Sequence, residues 1–353
     1  MKVDSKDKEA KKILLIGDCN LGRLRELLAG ELKENIDLKY IDCSASANIR
    51  WGLGKSFFAK IINWICYFYL ALYAFLLKKK FKYIISWQQG ISILYGIMCR
   101  ITRKNKRFTK LIGLNLTFVS AKRKESKFWK WFYAFGIRSE SIWKLTSPSF
   151  KLANKFNKFF NVTKIQGLHF YFDEETDAAN NCGEIEYDIF SGGIHSRDWK
   201  ILLKALEGSN LKVCIAAPII KDIEYSNYPN IKFITNATGK AFSSYIKKSR
   251  IVVIPMLAHG GDSILSRAFC FGKLVIATAG FGLEEYIKSG KDGFLIKYNS
   301  ANSLKKTLNK VFNRPDSEEF IHNLGQNAYN KFVNAYSLEK YVKRLRNCIV
   351  EGE

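Results

Sequence analysis

Residues 250–296 constrain this chain more than any other stretch. They read RIVVIPMLAHGGDSILSRAFCFGKLVIATAGFGLEEYIKSGKDGFLI. The β-branched run Ile251–Pro255 has the composition of a buried parallel strand. Ala258, His259, Gly260, Gly261, Asp262 and Ser263 then form a loop with little bulk and much backbone freedom. Ile264–Phe271 shows helical apolar spacing, with Asp262 or Ser263 as its N-cap. Gly272 stops the helix, and Leu274–Thr278 is a second buried strand. A strand, a glycine loop and a helix N-terminus together make an anion site, because backbone N–H groups converge at the positive end of the helix dipole. Taken alone, the same pattern also describes an ordinary βα turn.

Similar strand–helix alternation runs through the rest of the chain. Lys12–Asp18 is a strand that leads into a loop, Cys19, Asn20, Leu21 and Gly22, and a helix through Leu32. Leu38–Cys43, Tyr83–Ser86, Leu111–Leu116 and Ser141–Leu145 are expected strands. Ile91–Cys99 and a segment from Thr146–Ser149 to Phe160 are expected helices. Thr163–Gln166 leads out of this first half. Further on, Tyr187–Phe190, Leu211–Ala216, Ile231–Ile234 and Ile251–Ile254 are strands, alternating with helices from Arg197 to Leu206, near Lys221 and over Lys240–Lys247. Ala301–Phe312, Ser317–Val333 and Ser337–Ile349 are closing helices. This is a doubly wound α/β pattern. At 353 residues it suits two domains. Residues 1–173 make the first and 186–336 the second. The polar stretch 174–185 is the linker, and 337–353 forms a final helix expected to return to the first domain. The first loop lacks G-x-G-x-x-G, so dinucleotide binding is unsupported.

The charge is placed asymmetrically. Of a net +25, residues 1–165 hold 33 Lys/Arg against 11 Asp/Glu, and no acidic residue lies between Asp42 and Glu125. Such a localised field implies an anionic surface facing the first half, either nucleic acid or anionic lipid. Phe57–Leu77 is a 21-residue apolar run followed at once by Lys78, Lys79 and Lys80. Its length would suit a transmembrane helix. Spanning would separate the first two strands from the third, so the expected reading is a helix partly buried and partly lying in a membrane interface. The alternative is a fully buried core helix. The basic, aromatic segments at 100–110 and 122–131 suit the same anionic membrane surface, and no recognised nucleic-acid motif accompanies them. The first dozen residues lack the apolar core of a signal peptide. The eight scattered cysteines, with no C-x-x-C pair, read as reduced thiols of a cytosolic protein.

Residues 250–296 resemble the donor-site signature of GT-B glycosyltransferases, most closely glycosyltransferase family 4 (group 1). The matching parts are Gly260–Gly261, Arg267–Ala268, Gly272–Thr278, the turn Gly282–Glu285 and the segment Ser289–Leu295, a hairpin in that family. The resemblance implies a GT-B fold, in which two Rossmann-like parallel-sheet domains face an interdomain cleft. It implies retaining, metal-independent transfer from a nucleotide-diphosphate sugar, UDP- or GDP-linked, with no other cofactor. The family's two glutamates, eight positions apart, fall on His259 and Arg267. An arginine cannot accept hydrogen bonds from ribose hydroxyls, so either another residue, Glu284 or Glu285, takes that role or the donor is held differently. The loop Ser191–Ser196 is expected to hold the donor phosphates through Gly192 and Gly193. The family's arginine position is Gly193 here, and Arg197 at the following helix N-terminus takes the basic role. A structural alternative pairs Arg197 with Asp198 or another carboxylate. Asp18, Asn20 and Gly22 become acceptor-side candidates, with Asp18 and His259 as candidate catalytic groups. A zinc site among His169, His195 and His259 is not expected, because they lack carboxylate or thiolate partners at ligand spacing.

The expected activity is sugar transfer to a lipid-linked or membrane-presented glycan in cell-surface polysaccharide synthesis. The enzyme would be peripheral on the cytoplasmic face of the cell membrane, without nucleic-acid partners. The competing readings are a non-catalytic GT-B-like glycan-binding or partner protein, a nucleic-acid-binding protein, and a sugar-nucleotide epimerase.

Overall fold

The computed structural model describes residues 11–32, 36–44, 57–102, 109–117, 127–172, 184–193, 196–217, 227–235, 237, 239–258 and 262–350. The chain forms two compact units. One is Met1–Leu168 with Val342–Glu353, and the other is His169–Tyr341. The first division falls ahead of residue 173. The reason is local to the second unit: Phe170 N donates to the Tyr286 hydroxyl at 2.8 Å, and Phe172 bridges Ser337. Residues 174–183 of the expected linker lie outside the described residues.

In the first unit, β1 (Lys11–Gly17), α1 (Gly22–Leu32), β2 (Ile36–Asp42), α2 (Phe57–Leu77) and β3 (Tyr83–Ser86) are followed by α3 (Gln89–Ile101) and β4 (Lys110–Gly113). α4 (Lys127–Ile137), β5 (Ile142–Ser147), α5 (Phe150–Phe160) and β6 (Ile165–Gly167) complete the sequence. The six strands are parallel, in the order β2-β1-β3-β4-β5-β6. Ile13, Leu14, Leu15 and Ile16 of β1 are buried, as expected for a strand covered by helices on both faces. α2 follows β2 and leads to β3, which pairs directly with β1 from Ile13↔Tyr83 to Ile16↔Ser86. Residues 60–80 are long and apolar enough to cross a bilayer. Spanning would nevertheless break this ladder, because both ends of the helix must return to one sheet.

The second unit holds β7 (Tyr187–Gly192), α6 (Trp199–Leu206), β8 (Val213–Ala216), β9 (Ile231–Ile234), α7 (Gly239–Lys247) and β10 (Ser249–Ile254). α8 (Asp262–Cys270), β11 (Leu274–Thr278), β12 (Phe294–Ile296), α9 (Ala301–Phe312) and α10 (Ser317–Ala335) follow. α11 (Leu338–Val350) crosses the second division, between Tyr341 and Val342. The strands are parallel, in the order β12-β11-β10-β7-β8-β9. Phe190, Val252, Ile254, Val275 and Ala277 enter one core, while Ile189, Ile251, Val253, Leu274 and Ile276 enter another. That alternation is the period-two geometry of strands, so both faces of the sheet are buried.

Several expected boundaries are corrected. Thr146 and Ser147 close β5 rather than cap a helix. Ser149 caps alone, its Oγ accepting from Leu152 N at 3.2 Å. The stretch 122–131 reads only as basic and aromatic, yet Lys127–Ile137 forms α4. Phe294–Ile296 is a parallel edge strand on β11, not a hairpin arm. The expected helix near Lys221 lies outside the described residues.

Gly272 ends α8 at φ +60°. A Cβ built on Gly325 of α10 would lie 2.1 Å from the Gly272 carbonyl oxygen. Backbone cannot yield as a flexible side chain does. Gly325→Ala should therefore destabilise the second unit by about 1–3 kcal/mol. Thermal unfolding checks this as a Tm lower by roughly 2–4 °C per kcal/mol.

Candidate functional site

Each sheet has one position where the chain order reverses. In the second unit the chain runs β7, β8, β9 to one side and then restarts with β10 on the other side of β7. In an open parallel sheet the crevice at the carboxyl ends of two such strands is where ligands bind. Here it receives the loops after β7 and β10. The two loops are joined by backbone hydrogen bonds: Asp198 N donates to Pro255 O at 3.0 Å and Leu257 N to Ser196 O at 2.8 Å. Met256 N, in turn, donates to Thr278 Oγ1 at 2.9 Å, which ties in the end of β11.

Arg197 sits over this crevice. It precedes the helix rather than starting it. α6 begins at Trp199, and its cap is Asp198, whose Oδ1 accepts from Ile201 N at 3.2 Å. The Asp198 carboxylate is thus committed to the helix end. Arg197 Nε donates to Gly192 O at 2.7 Å, and Nη1 lies 2.9 Å from Met256 Sδ. Gly193 has φ +116°, and a Cβ built there would lie 2.6 Å from Arg197 Nη2. The guanidinium fills the space that a side chain at 193 would need. Gly192 and Ser191 belong to β7 rather than to the loop, and Ser191 Oγ donates to Val253 O at 2.8 Å, clamping β7 to β10.

α8 starts at Asp262, with Ser263 exposed in its first turn. His195, His259, Gly260 and Gly261 lie outside the described residues. Arg267 is in the last turn of α8. Its guanidinium stacks 4.7 Å from the Phe172 ring centre and 5.5 Å from that of Phe242. The Phe242 ring also lies against Gly192. Among the expected residues, Gly192, Gly193 and Arg197 therefore gather around the strand ends, and Arg267 reaches them through Phe242. Glu285 faces elsewhere: its Oε2 is 2.9 Å from His169 Nε2, beside the Tyr286 and Tyr336 rings. Glu284 is half-buried in the turn that follows Gly282. Among the described residues, no group of three or more His, Cys, Asp or Glu is placed to hold a metal ion.

Asp18 belongs to the first unit. There the order reverses between β1 and β3, and Asp18 stands at that point, 7% exposed. The Tyr67 hydroxyl on α2 donates to its Oδ2 at 3.3 Å, and Trp87 N donates to Ile16 O at 2.9 Å alongside. The loop Cys19–Leu21 is pinned by Tyr40. The Tyr40 hydroxyl accepts from Leu21 N at 2.6 Å and donates to the Asp42 carboxylate. Burial and the Asp42 hydrogen bond push the Tyr40 hydroxyl well above its ordinary pKa. Burial alone would raise Asp42, but hydrogen bonds from Tyr40 and Ser44 outweigh it and hold the carboxyl below the usual range. Asn20 Oδ1 accepts from Gly22 N at 2.8 Å, an Asx turn leading into α1. Tyr40, Tyr67 and Trp87 were not legible as site residues, because their contacts to the first loop and β1 reach 19 or more positions back in sequence.

Residues 201–331 match the family described as Glycosyl transferases group 1. The Uncharacterized glycosyltransferase MJ1178 of Methanocaldococcus jannaschii is 26% identical over 202 residues, 55% of this chain and 56% of that protein. The alignment thus spans about half the length of that curated relative. Among solved structures, HepE of Anabaena in complex with UDP and glucose superposes with a TM-score of 0.69 at 12% identity, over 97% of this chain and all of that one. A sucrose-phosphate synthase from Thermosynechococcus elongatus gives 0.68 at 11% identity, over 97% and 98%. The two six-stranded parallel α/β units are those of the GT-B glycosyltransferase fold.

Proposed function

We propose that this chain is a glycosyltransferase of the family 4 type. It moves a hexose from a nucleotide-diphosphate sugar to a hydroxyl of a lipid-linked or membrane-presented glycan in cell-surface polysaccharide synthesis. The observation that carries the reading is Arg197, whose guanidinium occupies the side-chain space of Gly193 at the β7/β10 reversal point. There it meets the departing diphosphate. Fixed donors aimed at charge developing on a leaving group are the main source of catalysis in such reactions. The match over residues 201–331 supports glycosyl transfer, and the UDP complex of the Anabaena neighbour supports a UDP-type donor. A GDP-sugar is the other donor the reading admits.

His259 and Arg267 stand where the family carries its two glutamates. On this reading His259 contacts the sugar, and Glu284 serves the ribose, since Glu285 is engaged with His169. Gly260, Gly261, Asp262 and Ser263 hold the diphosphate, with Gly192 and Gly193 leaving room for Arg197; the Gly193 N–H, expected to join them, is spent on Ala216 O at 3.0 Å. Asp18 orients the acceptor hydroxyl. The reaction retains anomeric configuration and requires no metal. The enzyme works as a peripheral protein on the cytoplasmic face, held to anionic lipid by the basic first unit. A second reading, a non-catalytic binding protein, is favoured by the loss of both family glutamates, to His259 and to Arg267, whose guanidinium donates but cannot accept hydrogen bonds.

Calorimetric titration of the full chain with UDP, GDP and CMP and their common sugars tests the proposal. Binding of one diphosphate, with slow hydrolysis of its sugar conjugate, is expected. A folded chain that binds none of them would overturn the reading. Binding without hydrolysis or transfer would favour the second.

A further inference from the structure

α2 is apolar on both sides. Cys66, Leu70, Ala71 and Ala74 pack into the first unit. Phe57, Ile61, Ile65, Phe68 and Leu76 project the other way and are 38–72% exposed. Their spacing of four, four, three and eight residues keeps them on one helical face. Trp64 extends this face toward α4, stacking on Trp129 at 6.0 Å and meeting Phe132 edge-on at 6.2 Å. On α4, Phe128 and Trp131 are 60% and 59% exposed. The exposed side chains of the two helices are thus joined by an aromatic bridge, a patch larger than singly scattered surface apolar residues explain.

We infer that the exposed faces of α2 and α4 are an insertion surface for an anionic lipid bilayer, with α2 lying in the plane of the interface. The inference rests on the membrane-attachment part of the reading above. Charge selects the occupant. Between residues 43 and 124 the sequence holds sixteen Lys/Arg and no Asp/Glu. Among the described residues, Lys60, Lys79, Lys80, Lys82, Lys127 and Lys130 are exposed on or next to these helices. A second copy pairing through the same patch would bring one protomer's lysines toward its partner's, since a two-fold interface is self-complementary. An anionic headgroup layer instead neutralises them while the rings and aliphatic chains enter the acyl boundary. Insertion in plane, rather than across, leaves the β1–β3 ladder whole. The inward side of α2 carries Tyr67, bonded to Asp18. One helix therefore bears both the lipid-facing surface and a contact to the proposed acceptor site.

The test is sedimentation of the full chain with vesicles of phosphatidylcholine alone and with about one-third phosphatidylglycerol, for the wild type and for Ile65→Glu/Phe68→Glu. Both residues are exposed, so folding is checked simply by the thermal transition. The wild type should bind the anionic vesicles, with at least roughly tenfold lower partitioning for the double variant. Brominated lipid should quench tryptophan emission, less so in Trp131→Phe. Nucleotide titration should be unchanged in the double variant, which separates failure of this surface from failure of the donor site. Equal partitioning of wild type and variant would overturn the inference, as would a folded wild type that ignores anionic vesicles. A dimer that the double variant converts to monomer, without vesicle binding by either, would assign the patch to self-association instead.

Discussion

Arg197→Ala should abolish most donor binding while leaving the fold intact. A charged hydrogen bond to phosphate contributes about 1.5–3 kcal/mol, so nucleoside-diphosphate affinity should fall roughly 10- to 100-fold. Turnover should fall further, by about 10²–10³, because the same donor is worth more when charge develops on the leaving diphosphate. Arg197→Lys should fall between, keeping the charge but losing the planar fork. Gly193→Ala supplies an independent check. It adds a Cβ 2.6 Å from Nη2 at a residue with φ +116°, and must displace the guanidinium without removing it. Titration of the three variants with the nucleotide preferred by the wild type reads the outcome. Asp198 still caps α6 in each, so the thermal transition should move little in the two Arg197 variants and fall in Gly193→Ala, where a side chain at φ +116° is strained. Unchanged affinity in Arg197→Ala would remove the diphosphate from this crevice.

The largest loss of stability is expected at Asp292. The residue is 4% exposed. Its Oδ1 accepts from Lys288 N at 2.6 Å, and its Oδ2 lies 2.8 Å from Lys331 Nζ. Lys331 also donates to Tyr286 O, joining α10 to the turn before β12. Asp292→Ala would strand a backbone donor and leave the ammonium with one neutral partner. Removing one member of a buried pair costs about 3–5 kcal/mol, and the lower end applies because Lys331 keeps 22% exposure. In denaturant unfolding the midpoint should drop at constant slope. Asp292→Ala/Lys331→Met should recover part of the loss, since no uncompensated charge then remains. A single-variant loss below about 1 kcal/mol would show that the pair is screened as a surface bridge is.

Much of the fold was legible because it rests on local periodicity. Phe57–Leu77, Tyr83–Ser86, Ile231–Ile234 and Leu274–Thr278 fold over the residues their composition marks. α4 was hidden because lysines interleave its aromatics at spacings that blur a single apolar stripe. Gly192 and Ser191 read as loop, yet they end β7, since neighbours at 216 and 242 decide whether that backbone is paired. Arg197 read as a helix residue because Asp198 beside it was not recognised as the cap. The ring of Tyr67 fits against Gly90 and its hydroxyl reaches Asp18, contacts that no spacing in sequence encodes.

By itself, the sequence determined the alternation of strands and helices, the two parallel α/β units that follow from it, and the concentration of positive charge in the first. Neighbouring residues set those properties, because side-chain period and charge density are local quantities. Only the tertiary structure decided the order of strands. With that order came the two reversal points that place Asp18 in one unit and Gly193 and Arg197 in the other. It also decided which side of α2 is covered. Pairing and burial depend on partners far away in the chain, so an apolar helix reads the same in sequence whether one face or all of it is buried.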